Sequence, residues 1–222
     1  MIKLIIFDWD DVITIGSKEG YFACHSQTLQ QLGVKLSESE FKKRMLENWG
    51  KTHVETWKAL LKEHPVLFEK ACKLYVKKLF SDFSKHISVL PNTRELLQKL
   101  SKKYILCVVT GMDGKLLREK VIPDFKIPAV FSTIIPTSEI KNPAHYKPSP
   151  YMVHLLLKKY HLHPSEAIVV GDGKNDVLMA QNADVMPIVV LSGNLTEKEA
   201  KELGVKLIIK DVTYLEDVLT NI

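Results

Sequence analysis

The sequence predicts an α/β protein: a parallel β-sheet with helices on both faces, interrupted by one inserted helical domain. Short β-branched runs recur along the 222-residue chain, and helical patterns separate the later runs. Between about residues 15 and 86, four helical stretches occur without a strand pattern. A chain of this length is long enough for one substantial core with a smaller companion domain inserted in it.

The first strand is predicted over residues 2–7, and the helical insertion follows it. Ser37, with Glu40 three residues later, forms a capping pattern for the second helix of the insertion. The four helices are predicted at residues 18–32, 38–49, 53–63 and 66–83. Residues 87–91 then return the chain to the sheet. We therefore expect a sheet domain of residues 1–14 and 87–222, and a four-helix domain of residues 15–86.

The rest of the chain alternates strands with helices. Asn92 with Glu95 is expected to cap the helix after the insertion, and Ser149-Pro150 to start a later one. The remaining strands are predicted at residues 105–109, 133–135, 167–170, 188–191 and 205–209. This alternation is typical of parallel sheets, which bind ligands beyond the carboxyl ends of their strands.

Composition argues against nucleic-acid and membrane partners. The formal charge is +5, but the lysines are scattered as pairs on separate helical faces, and only three of the 31 basic residues are arginine. No stretch approaches the ~18 apolar residues that a membrane-spanning helix needs. The first residues lack the long apolar core of a signal peptide, and the three cysteines are far apart. We expect a cytoplasmic protein, whose oligomeric state the sequence does not determine.

Polar residues follow four of the predicted strands. Asp8 and Asp10 come after the first, and Thr110-Gly111 after the second. The loop after the third strand contains Lys147, and the sequence GDGKND, with Asp172 and Asp176, follows the fourth. Two like charges about 4 Å apart repel by about 4 kcal/mol at an effective dielectric constant of about 20. Four carboxylates facing one lysine would therefore bind a cation, and all-oxygen ligands favour Mg²⁺.

A magnesium site of this kind makes phosphate the natural substrate group. Asp8 is the candidate nucleophile, because carboxylates split phosphoryl transfer into two steps through an aspartyl-phosphate. Asp10 lies two residues further on, on the same side of an extended chain, and is the candidate general acid and base. The Thr110 hydroxyl, the Gly111 amide and the Lys147 ammonium are candidates to bind the phosphoryl oxygens.

Four motifs in order resemble those of the haloacid dehalogenase superfamily: D-x-D at Asp8, T-G at Thr110, K-P-x-P at Lys147 and G-D-x-x-x-D at Asp172. Within it, the chain is most similar to the subfamily of phosphoglycolate phosphatase and β-phosphoglucomutase. The resemblance implies a Rossmann-like core with an inserted four-helix cap and Mg²⁺-dependent phosphoryl transfer. We expect the reaction to be hydrolysis of a small phosphorylated metabolite. It further implies a metal held by the Asp8 side chain, the Asp10 carbonyl and Asp172, with Asp176 behind these ligands.

The chain departs from the family pattern at Asp11, where the family usually has glycine. Asp10 argues against dehalogenation, because the dehalogenases lack this second aspartate. A phosphomutase shares every residue named so far, and a phosphonatase requires a cap lysine. The insertion offers several for that role, namely Lys18, Lys42, Lys43, Lys51 and Lys58. A phospho-accepting receiver-like domain and a scaffold without activity are alternatives from other classes.

One loop of the insertion is a candidate for substrate recognition. Trp49, Gly50 and Lys51 lie between two predicted helices, where glycine permits a close approach and the flanking side chains can meet a leaving group. Core packing is an equally simple interpretation of Trp49. His145 is interpreted as a solvated loop residue rather than a metal ligand or acid.

Overall fold

Contacts within the chain divide it into two compact units. The structure is a computed structural model that describes residues 1–220. The sheet unit consists of Met1–Ile15 and Ser88–Ile222, and the helical unit of Gly16–Ile87. Among the described residues, no helix combines the length and the apolar character that crossing a membrane requires.

The sheet unit contains one six-stranded sheet within residues 1–220. Its strands are β1 (Leu4–Phe7), β2 (Ile105–Thr110), β3 (Phe131–Pro136), β4 (Ala167–Gly171), β5 (Met186–Val190) and β6 (Leu207–Ile209). Their order in the sheet is β3-β2-β1-β4-β5-β6, and all neighbouring strands run parallel. The predicted α/β fold with a parallel sheet is therefore confirmed.

The helical unit contains the first four α-helices of the chain. They are α1 (Ser17–Gln31), α2 (Glu38–Glu47), α3 (His53–Leu60) and α4 (Phe68–Asp82). The predicted cap of α2 is confirmed, because the Ser37 side chain accepts a hydrogen bond from the Glu40 N–H at 3.2 Å. Arg44 connects α2 to α3 and to the residues after it, since its Nη1 donates to the Ala59 carbonyl at 3.0 Å and its guanidinium donates to both carboxylate oxygens of Glu63 at 2.7 and 2.8 Å.

The remaining helices belong to the sheet unit. They are α5 (Thr93–Leu100), α6 (Gly114–Leu116), α7 (Ile122–Asp124), α8 (Tyr151–Tyr160), α9 (Lys174–Asn182), α10 (Glu197–Glu202) and α11 (Leu215–Leu219). Helices α8 and α9 pack on one face of the sheet, against alternate β1 residues Leu4 and Ile6. The intervening residues Ile5 and Phe7 are equally buried, so both faces of the central strand are covered.

Two predicted helix starts are wrong in detail. Asn92 precedes α5 but makes no side-chain cap, because its backbone adopts a left-handed conformation (φ 69°) instead of the extended one that capping needs. Asparagine tolerates that conformation better than most residues. Pro150 is the residue before α8 rather than its first helical residue, and the helix begins at Tyr151.

The order of the strands creates a site-forming edge between β1 and β4. From β1 the chain builds outward through β2 and β3, and it then crosses to the other side of β1 to form β4. At such a switch point the connections leave in opposite directions and open a crevice beyond the strand ends. Phe7 pairs with Val170, so the residues that follow each strand begin almost level with one another.

The interior of the helical unit contains a histidine between aromatic rings. The imidazole of His25 lies with its centroid 4.9 Å from that of Trp57 and 4.1 Å from that of Tyr75. Its Nδ1 lies 2.8 Å from the Tyr21 carbonyl oxygen. Burial lowers the pKa of His25 from 6.5 to about 4, and the charge of His53 adds to this effect. The folded unit therefore holds this side chain neutral.

We expect the helical unit to lose stability in acid through His25. The unfolded chain protonates this residue below its ordinary pKa of 6.5, whereas the folded unit resists protonation until about pH 4. The stabilisation is complete above the unfolded pKa and is lost as the pH falls between these values, by on the order of 3 kcal/mol. Denaturant unfolding at pH 7 and pH 4.5 measures this loss. His25→Gln is expected to reduce it, and the exposed His64→Gln to leave it unchanged.

Candidate active site

Asp8 directly continues the central strand into the crevice. Its backbone N–H donates to the Val170 carbonyl at 2.8 Å, which extends the ladder between β1 and β4 by one bond. The next residue, Trp9, is fully buried and packs edge-on against Phe131, with centroids 6.0 Å apart. The bond to β4 and the packing of Trp9 thus fix the backbone at Asp8. Only 12% of the Asp8 side chain is exposed.

Lys147 comes from the loop between β3 and α8 and lies among carboxylates. Its Nζ is 2.8 Å from Asp8 Oδ1 and 2.6 Å from Asp176 Oδ1, and 11% of its side chain is exposed. One ammonium group therefore bridges two acids that are separated by 168 positions in the sequence. The ion pairs join the first strand end to the start of α9.

Asp172 and Asp176 complete a cluster of three buried carboxylates. One carboxylate oxygen from each of Asp8, Asp172 and Asp176 lies within 4.8 Å of the other two. Asp176 Oδ2 also accepts from the Gly173 N–H at 3.1 Å. Gly171 makes room for this arrangement, because a Cβ at that position would lie 2.3 Å from the Asp176 Cβ. The last residue of β4 must therefore lack a side chain.

The cluster carries more negative charge than Lys147 compensates. Burial raises the pKa of Asp8 to about 6, with Asp176 adding to the shift and Lys147 opposing it. Burial and the charges of Asp176 and Asp8 raise the pKa of Asp172 to about 8. Burial disfavours the charged form of Lys147, but the two carboxylates beside it outweigh this effect and raise its pKa. These residues fit a hard divalent cation, which would compensate the remaining charge with oxygen ligands.

Thr110 is the last residue of the neighbouring strand β2, and Gly111 follows it. Thr110 is fully buried, and its Oγ1 accepts from the Met112 N–H at 3.0 Å, which leaves the hydroxyl proton free to donate elsewhere. Apart from Gly111 and its chain neighbours, no heavy atom of residues 1–220 lies within 4 Å of a Cβ placed on Gly111, so this glycine faces open space. The helix that follows is capped by Asp113, which accepts from two backbone N–H groups. Thr110 and Gly111 are therefore not needed as a helix cap.

Asp10 and Asp11, the other two acids of the loop after β1, differ in burial and in backbone conformation. Asp10 is half-buried and forms an isolated bridge with Thr14. Asp11 is 5% exposed and has a φ of 55°, in the left-handed region that glycine prefers. For a residue with a Cβ this conformation costs about 1 kcal/mol, so the loop bends as it would with glycine but at a cost.

The other residues singled out from the sequence have contacts within their own units. Trp49, Gly50 and Lys51 follow α2 in the helical unit, and Trp49 packs against Phe22 with centroids 5.8 Å apart. Lys51 Nζ donates to Asn48 Oδ1 at 3.1 Å. His145 stacks on the ring of Tyr151 at 3.7 Å, with an interplanar angle of 9°, and is therefore a packing residue rather than a free solvated one.

A fifth strand end, which sequence analysis missed, also contributes to the site. Ser192, Gly193 and Asn194 follow β5, and Asn194 donates to Asp172 Oδ2 from its backbone N–H at 2.8 Å and from its Nδ2 at 2.5 Å. The signal was present in the sequence, because a glycine between two polar residues follows the apolar run at residues 188–191. The sequence Ser192-Gly193-Asn194 is also typical of an ordinary turn, and no local pattern relates it to Asp172.

This chain belongs to the haloacid dehalogenase-like hydrolase family, whose model matches residues 5–190. The match includes the whole carboxylate cluster, Lys147 and the strand ends that hold them. The family relationship agrees with the motifs read from the sequence and with the fold.

Several individual proteins of similar sequence or structure are phosphoglycolate phosphatases or are described as such. The chain is 37% identical over 100 residues to a phosphoglycolate phosphatase of Pasteurella multocida. The aligned segment covers 44% of this chain and only 43% of that relative. It is 27% identical over 190 residues to a phosphoglycolate phosphatase of Vibrio parahaemolyticus, covering 82% of this chain and 80% of the relative. A solved structure described as a predicted phosphoglycolate phosphatase from Haemophilus somnus has the same fold, with a TM-score of 0.82, 21% identity and 98% coverage of both chains.

Replacing one acid of the cluster is expected to stabilise the metal-free protein. Asp172→Asn retains the oxygen that Asn194 binds but removes a buried charge next to Asp8 and Asp176. We expect the free energy of unfolding in EDTA to rise by roughly 1–3 kcal/mol. Because the folded pKa of Asp172 is raised to about 8, the gain should be larger at pH 8 than at pH 5.

The matched control for this experiment is Asp184→Asn, which changes an exposed aspartate outside the cluster. Denaturant unfolding of both variants gives the comparison. Equal or lower stability of Asp172→Asn in EDTA would show that the carboxylates do not repel one another as their positions require.

Proposed function

We propose that this chain is a Mg²⁺-dependent phosphatase that hydrolyses a small phosphorylated metabolite through an aspartyl-phosphate. The observation that carries this proposal is the cluster of Asp8, Asp172 and Asp176, whose oxygens lie within 4.8 Å of one another beside a single lysine. The ends of β1 and β4 and the loop that contains Lys147 converge there, at the edge where parallel sheets bind ligands. The phosphatases among the relatives support the same reaction class.

The divalent ion would be held by the Asp8 and Asp172 side chains and the Asp10 backbone carbonyl. When bound, it supplies the positive charge that lets an anionic carboxylate approach an anionic phosphate. Asp176 acts indirectly, because it positions Lys147 through an ion pair of 2.6 Å. The lysine in turn lies 2.8 Å from Asp8, so it orients the nucleophile and faces the incoming phosphoryl oxygens.

In the first step, an Asp8 carboxylate oxygen attacks phosphorus, and the bond from phosphorus to the leaving oxygen breaks. Asp10 gives its proton to the leaving oxygen, which departs as the alcohol. In the second step, Asp10 takes a proton from water, and the water oxygen attacks the phosphorus of the aspartyl-phosphate. Inorganic phosphate leaves and the Asp8 carboxylate is restored. The Thr110 hydroxyl and Gly111 N–H donate to the equatorial oxygens in both steps.

Hydrolysis of p-nitrophenyl phosphate by the purified protein tests this mechanism. We expect turnover with Mg²⁺ and none in EDTA. Asp8→Asn should lower kcat by at least about 1,000-fold, because the nucleophile is lost. Asp10→Asn should release one equivalent of nitrophenol per enzyme and then stall, because this leaving group departs without a proton but water still needs a base. Asp184→Asn is the control and should retain full activity.

Other outcomes decide between the alternatives. A single labelling of Asp8 without turnover in the unchanged protein would indicate a receiver-like function, and no reaction at all would indicate a scaffold. A requirement for a bisphosphorylated sugar, with transfer rather than release of phosphate, would indicate a mutase. Borohydride trapping of a lysine adduct would indicate a phosphonatase. The names of the relatives make 2-phosphoglycolate the first natural compound to test.

We further propose that the helical unit, Gly16–Ile87, is the cap that selects the leaving group. Trp49 and Lys51 are the proposed reading residues, and Gly50, with a φ of 80°, gives the loop its left-handed turn. Lys51→Met is expected to change the ratio of kcat/KM between anionic and neutral phosphate esters about 10-fold or more. The control Lys62→Met changes an exposed lysine outside the loop. Equal ratios in both variants would exclude Lys51 from recognition.

A further inference from the structure

The loop after β5 lies beside the carboxylate cluster because of the sheet register. Gly171, the last residue of β4, pairs with Val189, so β5 ends next to the segment that contains Asp172. Three residues of this loop, Ser192-Gly193-Asn194, make contact with the strand-end loops of β1 and β4. None of them belongs to the four motifs found in the sequence.

Asn194 holds one oxygen of the Asp172 carboxylate with two donors. The backbone N–H lies 2.8 Å and the side-chain Nδ2 2.5 Å from Asp172 Oδ2. A third bond fixes the backbone of Asp172, since the Leu195 N–H donates to the Asp172 carbonyl at 3.0 Å. The two bonds from Asn194 engage Oδ2 and restrict the rotation of the carboxylate, so the other oxygen, Oδ1, is the one left to face a ligand.

Gly193 permits this approach by lacking a side chain. A Cβ at this position would lie 2.1 Å from Asp172 Oδ2 and 2.5 Å from the Asp172 Cβ, which is closer than non-bonded atoms approach one another. Ser192 completes the connection on the other side, because its Oγ donates to the Asp11 carbonyl at 2.7 Å. The tripeptide therefore ties the loop after β1 to the loop after β4.

We propose that Asn194 is a positioning residue for the divalent cation, because it orients Asp172 so that Oδ1 alone serves as the ligand. This inference rests on the proposed function, since it assumes that Asp172 binds Mg²⁺. Groups that orient a metal ligand by hydrogen bonds typically change metal affinity 10- to 100-fold when they are removed. Asn194 acts through Asp172 and has no contact of its own with the reacting atoms in this proposal.

Calorimetric titration with Mg²⁺ tests the positioning role directly. Asn194→Ala retains the backbone donor but loses Nδ2, and we expect its dissociation constant for Mg²⁺ to rise at least 10-fold. Gly193→Ala displaces the Asp172 side chain and should weaken binding as much or more. The control is Thr196→Ala, two residues away, which removes the cap of α10 but has no bond to Asp172. It should melt at a lower temperature and bind Mg²⁺ within 2-fold of the unchanged protein.

Steady-state kinetics provide a second readout that a general loss of stability would not move. In Asn194→Ala, the Mg²⁺ concentration for half-maximal turnover should rise at least 10-fold, while kcat at saturating Mg²⁺ stays within a few-fold. Unchanged Mg²⁺ affinity in Asn194→Ala overturns the proposal, and so does equal weakening in Thr196→Ala.

Hydrogen exchange in metal-free protein separates this inference from the proposed function. If the unchanged protein binds no Mg²⁺, the metal-dependent mechanism fails, but the contact between Asn194 and Asp172 is still testable. The Asn194 N–H is expected to exchange at least 10-fold faster in Asp172→Ala than in the unchanged protein. Equal exchange rates would show that Asn194 does not restrain Asp172.

Discussion

Mutual repulsion among three buried carboxylates is the constraint on which the rest of the sheet unit depends. Asp8, Asp172 and Asp176 would separate in a flexible chain, because each raises the free energy of the others in a poorly hydrated site. Lys147 opposes this repulsion with two ion pairs, of 2.8 and 2.6 Å, but one ammonium group does not balance three acids. The backbone must supply the remaining restraint, and a divalent cation is the ligand that such a site is suited to bind.

The restraint comes from the sheet and from residues that are small or rotationally fixed. The ladder between β1 and β4 continues through Asp8, so the backbone of the candidate nucleophile cannot move away without breaking a hydrogen bond, and the Lys147 ion pair restrains its side chain. Gly171 and Gly193 let neighbouring backbone approach Asp176 and Asp172 more closely than any other residue would. Asp11 shows the same compromise, because it holds a left-handed conformation beside the site. Local stability is given up here so that charges are held ready for a ligand.

The two units divide the tasks in the proposed function. The sheet unit contains every residue proposed to touch the phosphoryl group, whereas the helical unit has its own interior, in which His25 packs between Trp57 and Tyr75. An interior of this kind lets the helical unit keep its shape while an exposed loop residue such as Lys51 changes. Substrate choice can then change without disturbing the acids that perform the chemistry.

The sequence by itself determined the α/β class, the helical insertion, the family motifs and the polar residues at four strand ends. Those features depend on local periodicity and on residue chemistry within a few positions, which a single sequence displays. Only the tertiary structure decided the strand order, the ion pairs of Lys147, the left-handed residue Asn92 before α5 and the contact of Asn194 with Asp172. Asn194 meets Asp172 because β5 lies beside β4, and contacts between strands are set by packing of the whole sheet rather than by any local pattern.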